Sequence, residues 1–239
     1  MSLYADTAAA YAMYRREEPR IAARIHARLG DARTVVNVGA GQGAYEPRDR
    51  EVTAVEPEPA MTAAAGRQAV TGVAEALPFA DKSFDAAMAV LTIHHWPDWS
   101  RGVAEMHRVA RDRVVILTFD PRHTYTLWLV SEYLPELADM DEGRFPLPEE
   151  LGEVRTVEVP WDCVDGFQGA YWRRPELYLD PGRQRAISSL AMLPDTVRER
   201  GMAALRGDLE SGAWAQRHAD LRECETLDLG YRICVAYAS

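Results

Sequence analysis

Short apolar runs and amphipathic stretches take turns along the first half of the chain. Ile21, Ile25 and Leu29 recur every four residues between Pro19 and Gly30. That spacing predicts a helix with one apolar face, opened by proline and closed by glycine. Val35, Val36 and Val38 then form a compact β-branched run, and Val52 to Val55 form a second. Such runs predict buried strands. An alanine-rich stretch from Pro59 to Gly66 predicts a short helix, and Ala69 to Val73 a third strand. Phe84 to Ile93 is nearly continuously apolar and predicts a central strand. Trp99 to Arg111 places Val103, Met106 and Ala110 on one helical face, and Arg113 to Phe119 reads as a fifth strand. Strands alternating with helices over residues 19–121 predict an α/β core around a parallel sheet. The pattern then changes. Residues 122–150 hold an apolar, aromatic segment predicted to be helical up to Pro135, and Val154 to Pro160 predicts a sixth strand. Residues 165–222 read as helices broken at Pro175, Pro181 and Pro194, and Leu227 to Ala238 as a closing strand. We therefore expect one domain over 1–239. Its parts are a lid segment (1–18), a core (19–121), a cap carrying strand six (122–222) and a closing strand (223–239).

The stretch from Val35 to Glu56 organises the core. The first strand runs straight into Gly39, Gly41 and Gly43, and the second ends on Glu56. Glycines at alternate positions let the backbone turn sharply and approach a ligand with no Cβ in the way. An acid at the tip of the next strand can accept the hydroxyls of a ribose. The unit is suited to a nucleoside. Its connection is short for a crossover, which usually needs about a dozen residues or more, and it contains Pro47. A first helix of two turns or less is expected there.

Composition narrows the partners. The net charge is −10 and the pI about 5.1, which argues against a nucleic-acid backbone as the main partner. The 47% hydrophobic content supports one sizeable core. No run approaches the roughly 18 apolar residues of a membrane span, and the start has no signal-peptide core. Cys163, Cys224 and Cys234 are widely spaced, with no CxxC. A cytoplasmic protein with no metal site is the expectation.

The glycine turn is open to more than one reading. Gly39-Ala40-Gly41-Gln42-Gly43-Ala44 satisfies the looser dinucleotide fingerprint GxGxxA after a strand. The short following helix and the early position of Glu56 count against that reading. Taken together, VVNVGAGQG, AVEP, GVAEALPFADKSFDAAMAVLTIHHW and RVARDRVVILTFDP resemble the class I S-adenosylmethionine (SAM)-dependent methyltransferases. Within these they resemble the type 11 group related to the ubiquinone/menaquinone C-methyltransferases. The resemblance covers about residues 11–121, with the closing strand as a further match. It implies a Rossmann-like, mostly parallel seven-stranded sheet with helices on both faces and a helical cap, and SAM as cofactor. It also implies methyl transfer to a small-molecule acceptor. Position by position, it puts Asn37, Gly39, Ala40, Gly41 and Gly43 along the amino-acid part of SAM, Glu56 and Pro57 at the ribose, and Ala74 and Glu75 beside the adenine. Tyr11 and Arg15 match a segment that covers SAM and contacts its carboxylate. Three departures stand out: Asn37 and Val73 where the group usually has Asp, and the short first helix. A SAM-binding protein that does not transfer methyl is a further reading.

Methyl transfer needs alignment first and a base only where the nucleophile must lose a proton. His94, His95 and Asp120, at the ends of predicted strands, are the candidate bases. Adjacent histidines in an extended stretch point to opposite sides, so at most one of the two is expected to face the site. No cysteine or carboxylate lies at ligand-like spacing from the pair, so it is not read as a metal site. Asp165 to Arg174, with Phe167, Tyr171, Trp172, Arg173 and Arg174, has two readings: a substrate wall for a planar or anionic molecule, or packing of the cap on the sheet.

Overall fold

A computed structural model describes residues 13–64, 66–141 and 145–237. Seven strands form one sheet: β1 (Thr34–Val38), β2 (Glu51–Glu56), β3 (Val70–Thr71), β4 (Phe84–Val90), β5 (Ala110–Phe119), β6 (Glu153–Pro160) and β7 (Thr226–Tyr237), in the order β3-β2-β1-β4-β5-β7-β6. The first five are mutually parallel, and β7 runs antiparallel to both β5 and β6. Neighbours along each strand point to opposite faces, and the core divides accordingly. Val35, Ala86, Met88, Val115 and Leu117 join one buried cluster; Val36, Val38, Ala87, Ala89, Val114 and Ile116 join the other.

The first face is covered by α1 (Pro19–Arg28) and by the cap. Glu18 caps α1 by accepting the Arg20 N–H at 3.1 Å, Pro19 occupies the first turn, and Ile21, Ala22 and Ile25 are buried. The second face is covered by α3 (Trp99–Val109), whose Met106 and Val109 are fully buried. Asp98 caps it by accepting the Arg101 N–H at 3.0 Å. Ile21, Ile25, Met106 and Val109 each contribute on the order of 1.5–3 kcal/mol by leaving water. The other helix of the core is the short α2 (Pro59–Ala64).

Residues 39–50 contain no helix at all. Gly39, Gly41 and Gly43 all have positive φ (68°, 51° and 75°), so the chain leaves β1 in a series of left-handed turns that cannot start a helix. The face that a first helix would cover is filled by Tyr45, 4% exposed in the first cluster. Arg50 holds the return of the loop by donating to the carbonyls of Gly30 and Ala32, both at 3.2 Å.

Three further expectations are corrected. β3 is two residues long, because only Val70 and Thr71 find partners on β2 at the sheet's edge. The segment predicted to be helical up to Pro135 is broken into α4 (Pro121–Thr124) and a π-helical turn over Leu129–Tyr133. Tertiary packing overrides local propensity there: Trp128 is seated edge-on against Tyr133, Tyr178 and Trp214, and its Nε1–H donates to the Trp172 carbonyl at 2.8 Å. Finally, Ile93–His95 is a 3-10 turn, not an extended stretch.

The cap follows β5. It holds α5 (Glu136–Asp141), a 3-10 turn over Pro175–Leu179, α6 (Pro181–Ala186), α7 (Ser188–Met192), α8 (Asp195–Ser211) and α9 (Ala213–Arg217). Among the described residues no helix is long and apolar enough to cross a membrane.

Candidate cofactor and acceptor site

A cavity of about 280 Å³ opens at the carboxyl ends of β1, β2 and β4. This is the edge where open α/β sheets hold ligands. Gly39, Ala40 and Gly41 form its floor, with Asn37 below them at the end of β1. A Cβ on Gly39 would strike Thr92 Oγ1 at 2.2 Å, so β4's end and the turn are pressed together. A Cβ on Gly41 would meet nothing nearer than Met61 Cε at 4.0 Å. Open space lies over Gly41, on the ligand side. Gly43 has another role: it does not line the cavity, and the Arg67 guanidinium lies against its Cα.

Glu56 stands across from the turn, 8% exposed. One oxygen accepts the Gly41 N–H at 2.8 Å and the other the Glu58 N–H at 3.2 Å. Burial pushes its carboxyl above the ordinary range, and the two N–H donors only partly offset this. The side chain is thus fixed with its remaining acceptor capacity toward the cavity. Asn37 is oriented by Glu46, whose Oε1 accepts from Asn37 Nδ2 at 2.9 Å. An ionised carboxylate only accepts, so the amide nitrogen must face it. That leaves Asn37 Oδ1 buried, without a partner, on a cavity-lining residue. Arg67 pairs with the other oxygen of Glu46.

Pro57, Ala74 and Glu75 line the far end, together with Val73 and Trp96. Glu75 Oε1 accepts the Asp98 N–H at 3.1 Å, tying this end to the start of α3. Arg15 closes the near end. Its Nε donates to Asp165 Oδ1 at 2.8 Å, and Tyr45 donates its hydroxyl to Asp165 Oδ2 at 2.7 Å. Asp165 itself is buried. Burial, and then the Asp165 charge, drive the Tyr45 hydroxyl well above its ordinary pKa, so it stays a donor. Tyr11 lies outside the described residues.

A second cavity adjoins the first and shares Arg15 and Leu91 with it. Leu91 has φ +50°, a strained conformation for a non-glycine residue, right after β4. The two histidines separate here. His95, exposed, lines the first cavity, and His94 lines the second, with ring centroids 4.0 Å apart. The 3-10 turn lets both face cavities, which an extended stretch would not. Asp120 lines neither. It caps α4, and Arg122 donates to both its oxygens at 2.8 and 2.7 Å. Burial raises the Asp120 carboxyl, but the Arg122 donors outweigh it and leave it below the ordinary range. A carboxylate so occupied holds the strand end and is poorly placed to take a proton. Asp165 to Arg174 divides in the same way. Phe167 and Gln168 line the second cavity, whereas Tyr171 and Trp172 are packed into the core. Arg173 donates to the Cys224 carbonyl and Arg174 to that of Cys163.

Sequence reasoning did not single out Asp165, Leu91, Thr92 or Gln168. All four lay inside stretches singled out above, Leu91 and Thr92 in the fourth-strand motif and Asp165 and Gln168 in the segment from Asp165 to Arg174. Asp165, however, is joined to Arg15 and Tyr45, and Thr92 to Gly39, over long sequence separations that no local pattern announces.

The donor set fits SAM. An unpartnered buried oxygen on Asn37 suits an ammonium, the open face of Gly41 suits close approach, and the fixed Glu56 suits a ribose. Fold and cavity together define a nucleoside-binding α/β enzyme of the methyltransferase type. The methyltransferase-domain family matches residues 36–118. The crystal structure of a candidate methyltransferase from an antibiotic biosynthesis pathway of Anabaena variabilis superposes with a TM-score of 0.85 at 32% identity, covering 95% of this chain and 99% of that one. A chloroplastic 2-methyl-6-phytyl-1,4-hydroquinone methyltransferase of Oryza sativa subsp. japonica is 34% identical over 189 residues, or 72% of this chain and 50% of the relative. A second such enzyme from the same plant is 30% identical over 109 residues, covering 46% of this chain and 29% of its own length. The chain therefore spans half or less of the curated relatives it matches. It belongs to the SAM-dependent methyltransferases.

Proposed function

We propose that this protein transfers the methyl group of SAM to a small-molecule acceptor by in-line displacement. One observation carries the proposal: a cavity framed by Asn37, Gly41 and Glu56 lies beside a second cavity and shares Leu91 and Arg15 with it. When bound, SAM supplies an electrophilic methyl on a sulfonium. The chain's own residues supply placement. Glu56 accepts ribose hydroxyls, Asn37 Oδ1 accepts the ammonium, and Arg15 fronts the carboxylate from its anchor on Asp165. Val73 offers no acceptor for the adenine amino group, and Glu75, two residues on in the same cavity wall, is the nearest carboxylate in sequence to replace it. His94 is the base we favour, because it lines the second cavity; a hydroxyl acceptor would leave its proton on that imidazole. The absence of a helix after the glycine turn argues against a dinucleotide, whose pyrophosphate rests on such a helix's N-terminus. The net charge of −10 argues for a small molecule over nucleic acid as acceptor. The free cysteines fit a reducing compartment such as the cytoplasm.

Calorimetric titration with SAM, its demethylated product, NADH and NADPH tests the assignment. Micromolar binding of the first two and none of the nicotinamides is expected. Nicotinamide binding without SAM binding would overturn it. Tight SAM binding with no methyl transfer across a broad acceptor screen would move the protein to the non-methylating reading.

A further inference from the structure

We propose that Glu46 is a positioning residue for the cofactor: with Arg67 behind it, it fixes the direction of the Asn37 amide so that an acceptor, and not a donor, meets the ammonium of SAM. This rests on the methyltransferase reading above and deepens it, by naming what gives a neutral side chain near the end of β1 its preference for a cation. Three separate pieces of chain supply the arrangement. Asn37 comes from β1, and Glu46 from the loop that stands in place of a first helix. Arg67 follows α2, its N–H donating to the Thr62 carbonyl at 3.1 Å. Asn37 lines the first cavity, whereas neither Glu46 nor Arg67 does. The pair therefore acts from behind, through the amide.

Hydrogen-bond polarity runs one way along this line. A guanidinium can only donate, and Arg67 Nη2 donates to Glu46 Oε2. A carboxylate can only accept, and Glu46 Oε1 takes the Asn37 Nδ2–H at 2.9 Å. The amide nitrogen is thereby committed, and Oδ1 is left buried and without a partner. Donation to a carboxylate also draws electron density toward Oδ1 and strengthens it as an acceptor. An ammonium offers only donors, so it meets the one end of the amide that suits it. Both ionic partners are shielded: the Arg67 side chain is 23% exposed and that of Glu46 13%, so water competes weakly for either. The same line accounts for the third glycine of the turn. Gly43 has φ +75° and stays off the cavity wall, and a Cβ there would have to displace the Arg67 guanidinium.

Glu46→Gln then has a defined consequence. Arg67 still needs an acceptor, so it takes the introduced Oε1 and turns the introduced Nε2 toward Asn37. Asn37 answers with Oδ1, and its NH₂ is the end left for the cofactor, donor against donor. Placing the carboxylate at the other position repairs this. In Asn37→Asp/Glu46→Gln the introduced amide donates to the introduced carboxylate, whose second oxygen accepts the ammonium. An ion pair that merely held the loop would not be repaired in this way, because Arg67 faces the same neutral amide in both variants.

The test is calorimetric titration of the full chain and the two variants with S-adenosylhomocysteine and with its deamino analogue, which keeps the nucleoside, thioether and carboxylate and lacks only the ammonium. The unaltered protein should bind S-adenosylhomocysteine about tenfold or more tightly than the analogue, the worth of one hydrogen bond to a charged group. Glu46→Gln should weaken S-adenosylhomocysteine by about tenfold or more and the analogue by less than about twofold. Asn37→Asp/Glu46→Gln should recover S-adenosylhomocysteine to within about threefold of the unaltered protein. Circular dichroism checks that each variant is folded, and if Glu46→Gln does not fold, the double variant decides by the same two titrations. Equal binding of the two ligands by the unaltered protein, unchanged S-adenosylhomocysteine affinity or an equal loss of both ligands in Glu46→Gln, or a folded double variant that shows no preference for S-adenosylhomocysteine would each overturn the proposal and leave the methyltransferase reading in place. Absence of S-adenosylhomocysteine binding by the unaltered protein would instead sink that reading, and the positioning role with it.

Discussion

Removing the Asp165 carboxylate probes the link between the N-terminal segment, the glycine loop and the cap. Asp165 accepts from Arg15 Nε at 2.8 Å, from the Arg16 N–H at 3.2 Å and from the Tyr45 hydroxyl at 2.7 Å. In Asp165→Ala the Tyr45 hydroxyl stays buried with no acceptor, and the Arg15 side chain, 14% exposed, loses its counter-ion. Breaking a buried pair by deleting one partner costs about 3–5 kcal/mol, mostly through the charge left behind. For a chain of 239 residues each kcal/mol lowers Tm by about 2–4 °C, so a drop of about 6–20 °C is expected. Urea unfolding followed by the fluorescence of the six tryptophans measures the same loss at an unchanged m-value. Adding Arg15→Met should recover part of the loss, because the unpaired cation is then gone and the two substitutions are coupled. A loss under about 1 kcal/mol, or strict additivity with Arg15→Met, would refute the view that Asp165 is the buried anchor of the segment.

Further outcomes follow from the first cavity. Glu56→Gln should weaken SAM binding by about 1.5–3 kcal/mol, the worth of a hydrogen bond to a charged acceptor; unchanged affinity by calorimetry would mean that the ribose is held elsewhere. Gly41→Val should abolish SAM binding, both by filling the open face and by straining a turn held at φ +51°; a protein that keeps its circular dichroism spectrum and still binds SAM would move the site. Acidification should also weaken SAM, and the sign is fixed by Glu56. Burial raises its folded pKa above the ordinary 4.5. Its contribution to stability is therefore fully present below 4.5 and is lost as pH rises through the folded value. Ribose binding needs the carboxylate, so affinity falls as pH drops through that same raised value, and a pH series on Glu56→Gln should lose this dependence.

Much of the core was legible because it is local. The β-branched runs of β1, β2, β4 and β5 and the apolar period of α1 and α3 read directly as buried strands and half-buried helices. The glycine turn was legible too, but its consequence was not: three positive-φ glycines in a row remove the first helix altogether. The 3-10 turn at Ile93–His95 was hidden for a related reason. Thr92 presses on Gly39 and Leu91 takes a left-handed φ, so the chain bends where an extended end was expected. The replacement of Asp by Asn37 looked like a lost charge. In the fold, Glu46 stands beside it at 2.9 Å and fixes its orientation, a pairing that no spacing rule announces. The histidine pair and Asp120 show the limit most plainly: all three are polar residues at strand ends, and only their neighbours tell a cavity-facing imidazole from a helix cap.

The position of β7 bears on how the chain reaches this fold. Among the described strands β6 pairs with β7 alone, and β7 lies between β6 and β5, with residues 161–225 separating β6 from β7 in sequence. Nucleation therefore has no use for β6 until a strand more than sixty residues downstream has arrived, and closing so long a loop slows the step. The parallel strands β1, β2, β4 and β5 need no such wait. Refolding should be biphasic, with the cofactor half protected early and the acceptor half late. Pulsed hydrogen exchange should show β4 amides protected before those of β6 and β7. Simultaneous protection would mean that the sheet assembles in one cooperative step. Until β7 arrives β5 is a bare strand edge, a template for wrong pairing, and that exposure falls between the making of the two cavities.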